Sequence, residues 1–185
     1  MSAVALELLD TGGPAAVTTR AVAERAGSSI AAVDELFGGK PGLVQTLHME
    51  GFARLADELA ALPPTADPER GVVDVALTMR AFAASHPHLY DVMFSRPFAE
   101  LRPAADDGRA AESVYRSVLS RVAAVLGPDR PRGSAKDAAI GLVAATRGLV
   151  DLERAGILGS SRASIERRWR STVLAVLRGS IGGIP

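Results

Sequence analysis

The sequence predicts an all-α protein, with short helices at the N-terminus and longer helices after them. Hydrophobic residues make up 48% of the chain and aromatic residues only 4%, a composition that suits helices packed through Ala, Val and Leu. Apolar residues also recur at helical spacing in segments that proline and glycine separate. At 185 residues the chain is about one ordinary domain, or one small domain joined to a larger one.

Three short helices are predicted at the start of the chain. The first spans 2–10 and stops before a Gly-Gly-Pro turn. The second starts after Thr18, a good N-cap, and ends at Gly27, which can adopt a left-handed conformation. The third spans 30–36 behind two serines. The short glycine-containing turn between the last two helices is typical of a helix-turn-helix.

Longer amphipathic helices are predicted over the remainder of the sequence. Leucines at helical spacing follow Pro41, and prolines at 63, 64 and 87 mark later breaks. The helix that begins near 134 is apolar on almost all sides in its first half, so we expect two of its faces to be covered. The predicted helices run over about 41–62, 68–85, 87–94, 109–126, 134–156 and 162–179, with an irregular segment at 95–108.

The composition excludes several kinds of chemistry. The chain has no cysteine, which excludes disulfides, thiolate zinc sites and a cysteine nucleophile. Its three histidines, His48, His86 and His88, are too few and too scattered to predict a metal site, and no cofactor is expected. No phosphate-binding loop, paired carboxylates or Ser-His-Asp arrangement indicates an enzyme.

Neither a signal peptide nor a membrane span is predicted. The N-terminal stretch has no basic region and reaches a turn after about ten residues. No apolar run approaches the ~18 residues that a transmembrane helix needs. We therefore expect a soluble, cytoplasmic protein with no membrane partner.

The charge distribution gives little support to nucleic-acid binding. The whole chain carries 21 basic and 21 acidic residues, and residues 1–50 hold three basic against six acidic ones, a formal charge of −3. DNA-binding domains normally carry a basic patch, because phosphate neutralisation and counterion release supply much of their affinity. The sequence therefore predicts weak binding to the phosphate backbone.

The helix-turn-helix segment nevertheless carries a specific pattern. The stretch TTRAVAERAGSS over 18–29, followed by Val33, Leu36, Phe37, Lys40 and Leu43, resembles the N-terminal motif of the TetR family of bacterial transcriptional regulators. More loosely, FAASHPHLYDVMF and LVAATRGLVDLERAG resemble segments of that family's C-terminal domain. The resemblance implies a helix-turn-helix DNA-binding domain over 1–42 and a ligand-binding and dimerisation domain over 43–185. It also implies a ligand-responsive homodimer that binds operator DNA as a repressor.

The predicted DNA contacts lie at two helix N-termini and the turn between them. Hydroxyls and amides at the start of the second helix can hold a phosphate, although Thr18 can also serve as a plain N-cap. Small side chains at the start of the third helix would face base edges and could touch thymine methyl groups. The residues are Thr18, Thr19, Arg20, Ser28, Ser29, Ile30, Ala31, Ala32, Asp34 and Lys40.

Asp34 departs from the family pattern. The resemblance implies a tyrosine at this position, whose hydroxyl meets a DNA phosphate, and a histidine or tyrosine at the position of Leu36. A carboxylate would instead repel the phosphate, although it could accept a hydrogen bond from a cytosine amino group. Lys40 agrees with the family pattern. It resembles the lysine at the start of the fourth helix that contacts the DNA backbone.

The effector and dimer sites are predicted in the C-terminal domain. Methionine and aromatic side chains around the proline-broken helix suit an adaptable pocket for a small apolar effector, although the same spacing also describes an ordinary core. Arg80 and Arg147 could meet an anionic group, and Arg147 could equally form an intersubunit ion pair. The predicted ligand-binding residues are Met79, Phe82, Tyr90, Met93, Phe94 and Arg147. The predicted dimer contacts, unless a helix of the same chain covers them, are Gly141, Ala144, Ala145, Gly148, Trp169, Val173 and Val176.

Two alternatives to a ligand-responsive repressor remain open. One is a dimeric helical ligand-binding protein with a degraded head, which means that its DNA-binding head, the predicted domain over 1–42, has lost the ability to bind DNA. The other is a helical enzyme, which would turn over a bound compound. Substitution of Asp34 by tyrosine distinguishes the repressor from the protein with a degraded head. The substitution should strengthen DNA binding if the head docks as the resemblance implies.

Overall fold

The computed structural model describes residues 1–95, 98, 107–129, 131 and 133–182. Within these residues the chain folds into nine α-helices without any strand, which confirms the predicted all-α class. None of these helices has the apolar length that crossing a lipid bilayer requires. The helices are α1 (Ser2–Ala16), α2 (Thr19–Arg25), α3 (Ile30–Phe37), α4 (Gly39–Ala60), α5 (Pro68–Ser85), α6 (Pro87–Phe94), α7 (Asp107–Leu126), α8 (Ser134–Arg154) and α9 (Arg162–Gly182).

Most helix limits agree with the predicted ones, and the largest difference is in α1. The Gly-Gly-Pro sequence bends this helix at Gly13 (φ +66°) instead of ending it before residue 11. Thr11 and Gly12 remain helical, and the hydroxyl of Thr11 donates to the carbonyl oxygen of Glu7 at 2.8 Å. Pro14 then begins a further short turn, a position where proline's missing N–H is not needed. The predicted break is therefore a kink.

One compact unit consists of Met1–Ala56 and Phe82–Ser113. In this unit α1 packs against α2 and α6, and α2 packs against α3. The ring of His88 on α6 lies so close to the kink of α1 that a Cβ atom on Gly13 would stand 3.4 Å from its Cε1 atom. Burial of apolar side chains stabilises the unit by roughly 1.5–3 kcal/mol for each large one. The core includes Leu9, Val17, Val22, Val33, Leu43, Leu47, Phe82 and Leu89.

The connection from α3 to α4 depends on a close approach of backbone to backbone. A Cβ atom on Gly42 would stand 1.6 Å from the carbonyl oxygen of Phe37, so no side chain fits at this position. The contact fixes the first turn of α4 directly behind the end of α3. α4 begins at Gly39, two residues before the predicted start at Pro41.

The second compact unit consists of Asp57–Ala81 and Val114–Pro185, and its principal contact is between α8 and α9. The division does not follow the predicted boundary between residues 42 and 43. Both α4 and α5 begin in one unit and end in the other, so the division falls inside helices rather than in a linker. The core of this unit includes Val72, Val75, Met79, Val118, Val122, Leu142, Leu149, Trp169 and Val173.

Candidate nucleic-acid interface and effector domain

The N-terminus of α2 is capped as the sequence predicts. The hydroxyl oxygen of Thr18 accepts a hydrogen bond from the backbone N–H of Ala21 at 3.1 Å. Thr19 and Arg20 follow in the first helical turn, and Arg20 is exposed. The first amides of a helix have no partner within it and carry the positive end of the helix dipole. This end of α2 is therefore suited to an anionic group such as a DNA phosphate.

The orientation of α3 follows from one cap and one buried residue. The hydroxyl of Ser29 accepts from the N–H of Ala32 at 3.1 Å, and Val33 is fully buried. Ala32 and Ser28 are half-buried, whereas Ile30 and Ala31 at the start of the helix are exposed. Asp34, Glu35 and Leu36 are exposed as well, so the outward surface of α3 is apolar and acidic.

Two of the three basic side chains of the helix-turn-helix segment, Arg25 and Lys40, have neighbours that compete with a phosphate. Arg25 on α2 forms an ion pair with Glu7 on α1. The Nζ atom of Lys40 lies 5.7 Å from the ring centroid of Phe98, a cation–π distance. Arg20 is the exposed cation at the N-terminus of α2. The negative charge predicted from the sequence is therefore not offset by a basic patch on these described residues.

Asp34 also lies beside the start of α4. Its Oδ1 atom would be 3.9 Å from a Cβ atom on Gly39, the first residue of that helix. A carboxylate is favourable near a helix N-terminus because the helix dipole is positive there. Asp34 thus has a structural environment that the sequence did not reveal, since the fold alone brings it next to α4.

The predicted effector residues are divided between the two units. Phe82, Tyr90 and Met93 are buried and Phe94 is half-buried in the first unit, whereas Met79 is buried in the second. The rings of Tyr90 and Phe94 lie 4.7 Å apart, centroid to centroid. Burial of these residues fits both a pocket and an ordinary core.

Two aromatic neighbours on α4 were missed by the sequence reasoning. Phe52 lies 5.4 Å from Phe94, and His48 lies 5.1 Å from Phe52, both between ring centroids. The Nδ1 atom of His48 lies 3.2 Å from the carbonyl oxygen of Val92 on α6. The spacing of four between His48 and Phe52 was visible in the sequence, but their contact with α6 was not.

Thr146 is a buried polar residue in the middle of α8. It is fully buried, and its hydroxyl has no hydrogen-bond partner among the described residues. Helical threonines elsewhere in the chain donate to the carbonyl oxygen four residues earlier, as Thr46 and Thr78 do at 2.9 Å. Arg147, the predicted ligand contact next to it, is exposed.

Arg80 is held by a carboxylate instead of facing an open site. Its guanidinium donates to both oxygens of Glu153 at 2.8 and 2.7 Å, and the indole N–H of Trp169 donates to the same carboxylate at 2.6 Å. The hydrogen bonds from Arg80 lower the pKa of Glu153, burial opposes this effect, and the bond from Trp169 adds to it. This triad joins α5, α8 and α9 within the second unit.

The predicted dimer contacts fall into two groups. Ala144 and Gly148 are exposed, and they continue a stripe along α8 with Ile140 and Leu152, which are 52% and 40% exposed. Gly141, Ala145 and Val176 are half-buried, and a Cβ atom on Gly141 would stand 3.6 Å from Val176.

Trp169 and Val173 require a correction. Their exposed fractions are 0% and 1%, so both pack inside their own protomer and present no surface to a partner. The apolar stripe of α9 covers α8 of the same chain, which is the alternative that the sequence left open.

Comparisons with known proteins identify the family. The model of bacterial regulatory proteins of the tetR family matches residues 3–47. The model described as the tetracyclin repressor-like C-terminal domain matches residues 72–176, more than half of the chain. The chain belongs to the TetR family. It is therefore a ligand-responsive DNA-binding transcriptional regulator, and members of the family typically act as repressors and not as enzymes.

Solved structures show the same fold as this TetR-family chain. A protein of unknown function from Rhodococcus sp. RHA1 is 24% identical, with a TM-score of 0.79 over 96% of this chain and 92% of that one. A TetR regulator from Streptomyces coelicolor is 21% identical, with a TM-score of 0.74 over 100% and 97%. A TetR variant from Acinetobacter baumannii AYE in complex with minocycline is 20% identical, with a TM-score of 0.67 over 96% and 92%. No curated protein matches the chain.

Proposed function

We propose that the protein is a homodimeric repressor that binds operator DNA through α2, α3 and the start of α4. The observation that carries this proposal is the pair of capped helices α2 and α3 in the TetR-family head. Val33 fixes the buried side of α3, and the opposite side of α3 is exposed. A recognition helix must present such a face to the major groove. Operator DNA as partner also implies a cytoplasmic location.

In this proposal the DNA contacts divide into two kinds. Thr19, Arg20 and Lys40 meet phosphates, with Thr18 completing the N-terminus of α2. Ser28 and the residues from Ser29 to Ala32 lie nearest to the base edges. Asp34 faces the DNA backbone, and its negative charge weakens the contact of the head with the phosphates there.

A small, mostly apolar effector is proposed to bind in the effector domain. The buried aromatic side chains and Met93 of the first unit favour an apolar molecule. Such a ligand changes DNA affinity only if it binds one spacing of the two recognition helices better than the other.

Dimerisation is proposed to use the exposed stripe of α8 formed by Ile140, Ala144, Gly148 and Leu152. Small residues at its centre allow a partner helix to approach closely, and the apolar side chains at its ends would lose their exposure. Arg147 lies beside this stripe and would contribute an ion pair across the interface.

A dimeric ligand-binding protein with a degraded head is the second candidate. It is favoured by three features of the head: the −3 charge of residues 1–50, the carboxylate of Asp34, and the pairing of Arg25 with Glu7.

A salt titration of binding to the DNA upstream of the protein's own gene distinguishes the two candidates. Specific binding at about physiological salt, resistant to competitor DNA, supports the repressor. Absence of such binding by a sample shown to be a folded dimer supports the degraded head. Turnover of a bound compound would contradict both.

A further inference from the structure

The exposed face of α3 has no hydrogen-bond donor among its side chains. The helix reads IAAVDELF, and neither its aliphatic residues nor its ionised carboxylates carry an N–H or O–H group. The most common specific contacts in the major groove need such donors, from arginine or lysine to guanine and from asparagine or glutamine to adenine. The side chains of α3 can make neither contact.

What α3 does expose at its N-terminus is hydrocarbon. Ile30 is 42% exposed as the first residue of the helix, and the methyl group of Ala31 is exposed beside it. The cap from Ser29 to Ala32 holds this turn in place at 3.1 Å. The major groove offers one apolar group to such a surface, the C5 methyl group of thymine.

The acidity of the head increases the importance of this contact. Arg25 is paired with Glu7, and the residues 1–50 carry a formal charge of −3, so counterion release contributes less affinity than in a basic head. Contacts with base edges must therefore supply a larger share of specific binding.

We propose that Ile30, with Ala31, is the specificity-determining contact of the head, and that it recognises the methyl group of thymine in each operator half-site. This inference rests on the proposed operator binding and adds the chemistry of the sequence that is bound. Leu36, which is 62% exposed at the other end of α3, does not take part in the contact.

The test removes single methyl groups from the DNA. The upstream duplex is footprinted, and each thymine in the protected half-sites is replaced in turn by 2′-deoxyuridine, which keeps every pairing hydrogen bond. At one or two positions per half-site we expect about fourfold weaker binding for each methyl group that is lost. Ile30→Ala should weaken binding to the thymine duplex similarly and make those positions insensitive to uracil.

Leu36→Ala is the matched control. It also shortens an exposed aliphatic side chain of α3, and it should keep the full sensitivity to uracil. Replacement of the critical thymine by 5-methylcytosine, paired with guanine, should bind better than replacement by cytosine.

Three results would overturn the inference. Specific binding that is unaffected by every uracil substitution would contradict methyl recognition while leaving the repressor function intact. The same conclusion follows if Ile30→Ala retains the sensitivity of the wild-type protein to uracil. Failure to bind any upstream duplex over competitor DNA would overturn the proposed function and this inference together.

Discussion

At the scale of single residues, we propose that Asp34 limits how tightly the head can bind DNA. Its carboxylate is exposed on α3 and lies next to the start of α4. Lys40 is in the first turn of that helix. Two like charges ~6 Å apart near a protein surface repel by a few kcal/mol, and salt reduces this value. The repulsion acts twice in a dimer.

Replacement of Asp34 by tyrosine should strengthen DNA binding. The variant removes the repulsion and restores a hydroxyl donor, so we expect the dissociation constant to fall about tenfold or more at low salt, measured by fluorescence anisotropy. Asp34→Asn should give a smaller gain, because it removes only the charge. Glu24→Tyr makes the same charge change on α2 and should have little effect. No gain from Asp34→Tyr at any salt concentration would contradict the proposed docking.

Thr146 gives a prediction about stability. Its buried hydroxyl has no partner among the residues that the structure describes, so Thr146→Val removes a polar group that has lost its hydration and keeps the shape of the side chain. We expect the free energy of unfolding in urea to stay constant or to rise by about 1 kcal/mol. Thr78→Val is the control, because the Thr78 hydroxyl donates to Asp74 at 2.9 Å and its loss should destabilise the protein. Equal destabilisation by both variants would show that Thr146 has a partner.

At the scale of helices, the triad of Arg80, Glu153 and Trp169 holds α5, α8 and α9 together. Glu153 accepts hydrogen bonds from both partners, and its side chain is 26% exposed. Tertiary contacts of this kind fix helices whose own propensities would not specify their packing.

Glu153→Gln should destabilise the protein by about 2 kcal/mol at neutral pH, because hydrogen bonds to a charged group are lost. The pKa of Glu153 is lower in the folded state than in the unfolded one, so its stabilisation is present above pH ~4.5 and is lost as the pH falls through the folded pKa. Urea unfolding at several pH values should show the difference between wild type and variant shrinking in that acidic range. Glu50→Gln, at an exposed pair with Arg54, should cost far less. A difference that stays constant down to pH 3 would contradict this account.

At the scale of the whole molecule, an acidic head should bind DNA with an unusually weak dependence on salt. If Arg20 and Lys40 meet phosphates in both protomers, four contacts give a slope of about −4 in a plot of log K against log salt concentration. Anisotropy titrations between about 50 and 200 mM salt measure this slope directly. A much steeper slope would show that other basic residues reach the DNA.

The dimer can be tested with one glycine on the exposed stripe of α8. A Cβ atom on Gly148 meets none of the described atoms within 4 Å, so Gly148→Glu should leave the fold intact while placing a charge in the proposed interface. Glutamate also has the higher helix propensity. Sedimentation should show the variant as a monomer with an unchanged far-UV CD spectrum, whereas Ala60→Glu, exposed on α4, should remain dimeric. A dimeric Gly148→Glu variant would place the interface elsewhere.

The sequence alone determined the fold class, the family and most helix limits. These depend on local chemistry: Thr18 and Ser29 are caps whose partners lie three residues away, and prolines and glycines interrupt helices wherever they occur. The exposure of Ile30 and Asp34 agrees with the expectation, drawn from the family resemblance, that both face DNA. Helical spacing alone did not predict it for Ile30, which lies one turn before the buried Val33.

Only the tertiary structure decided which surfaces remain exposed and which polar groups are paired. It buried Trp169 and Val173 inside the protomer, joined Arg80 to Glu153 across 73 residues, and left Thr146 enclosed. Amphipathic periodicity shows that a face is covered but not by which helix, because a partner from the same chain and one from a second chain bury the same apolar area.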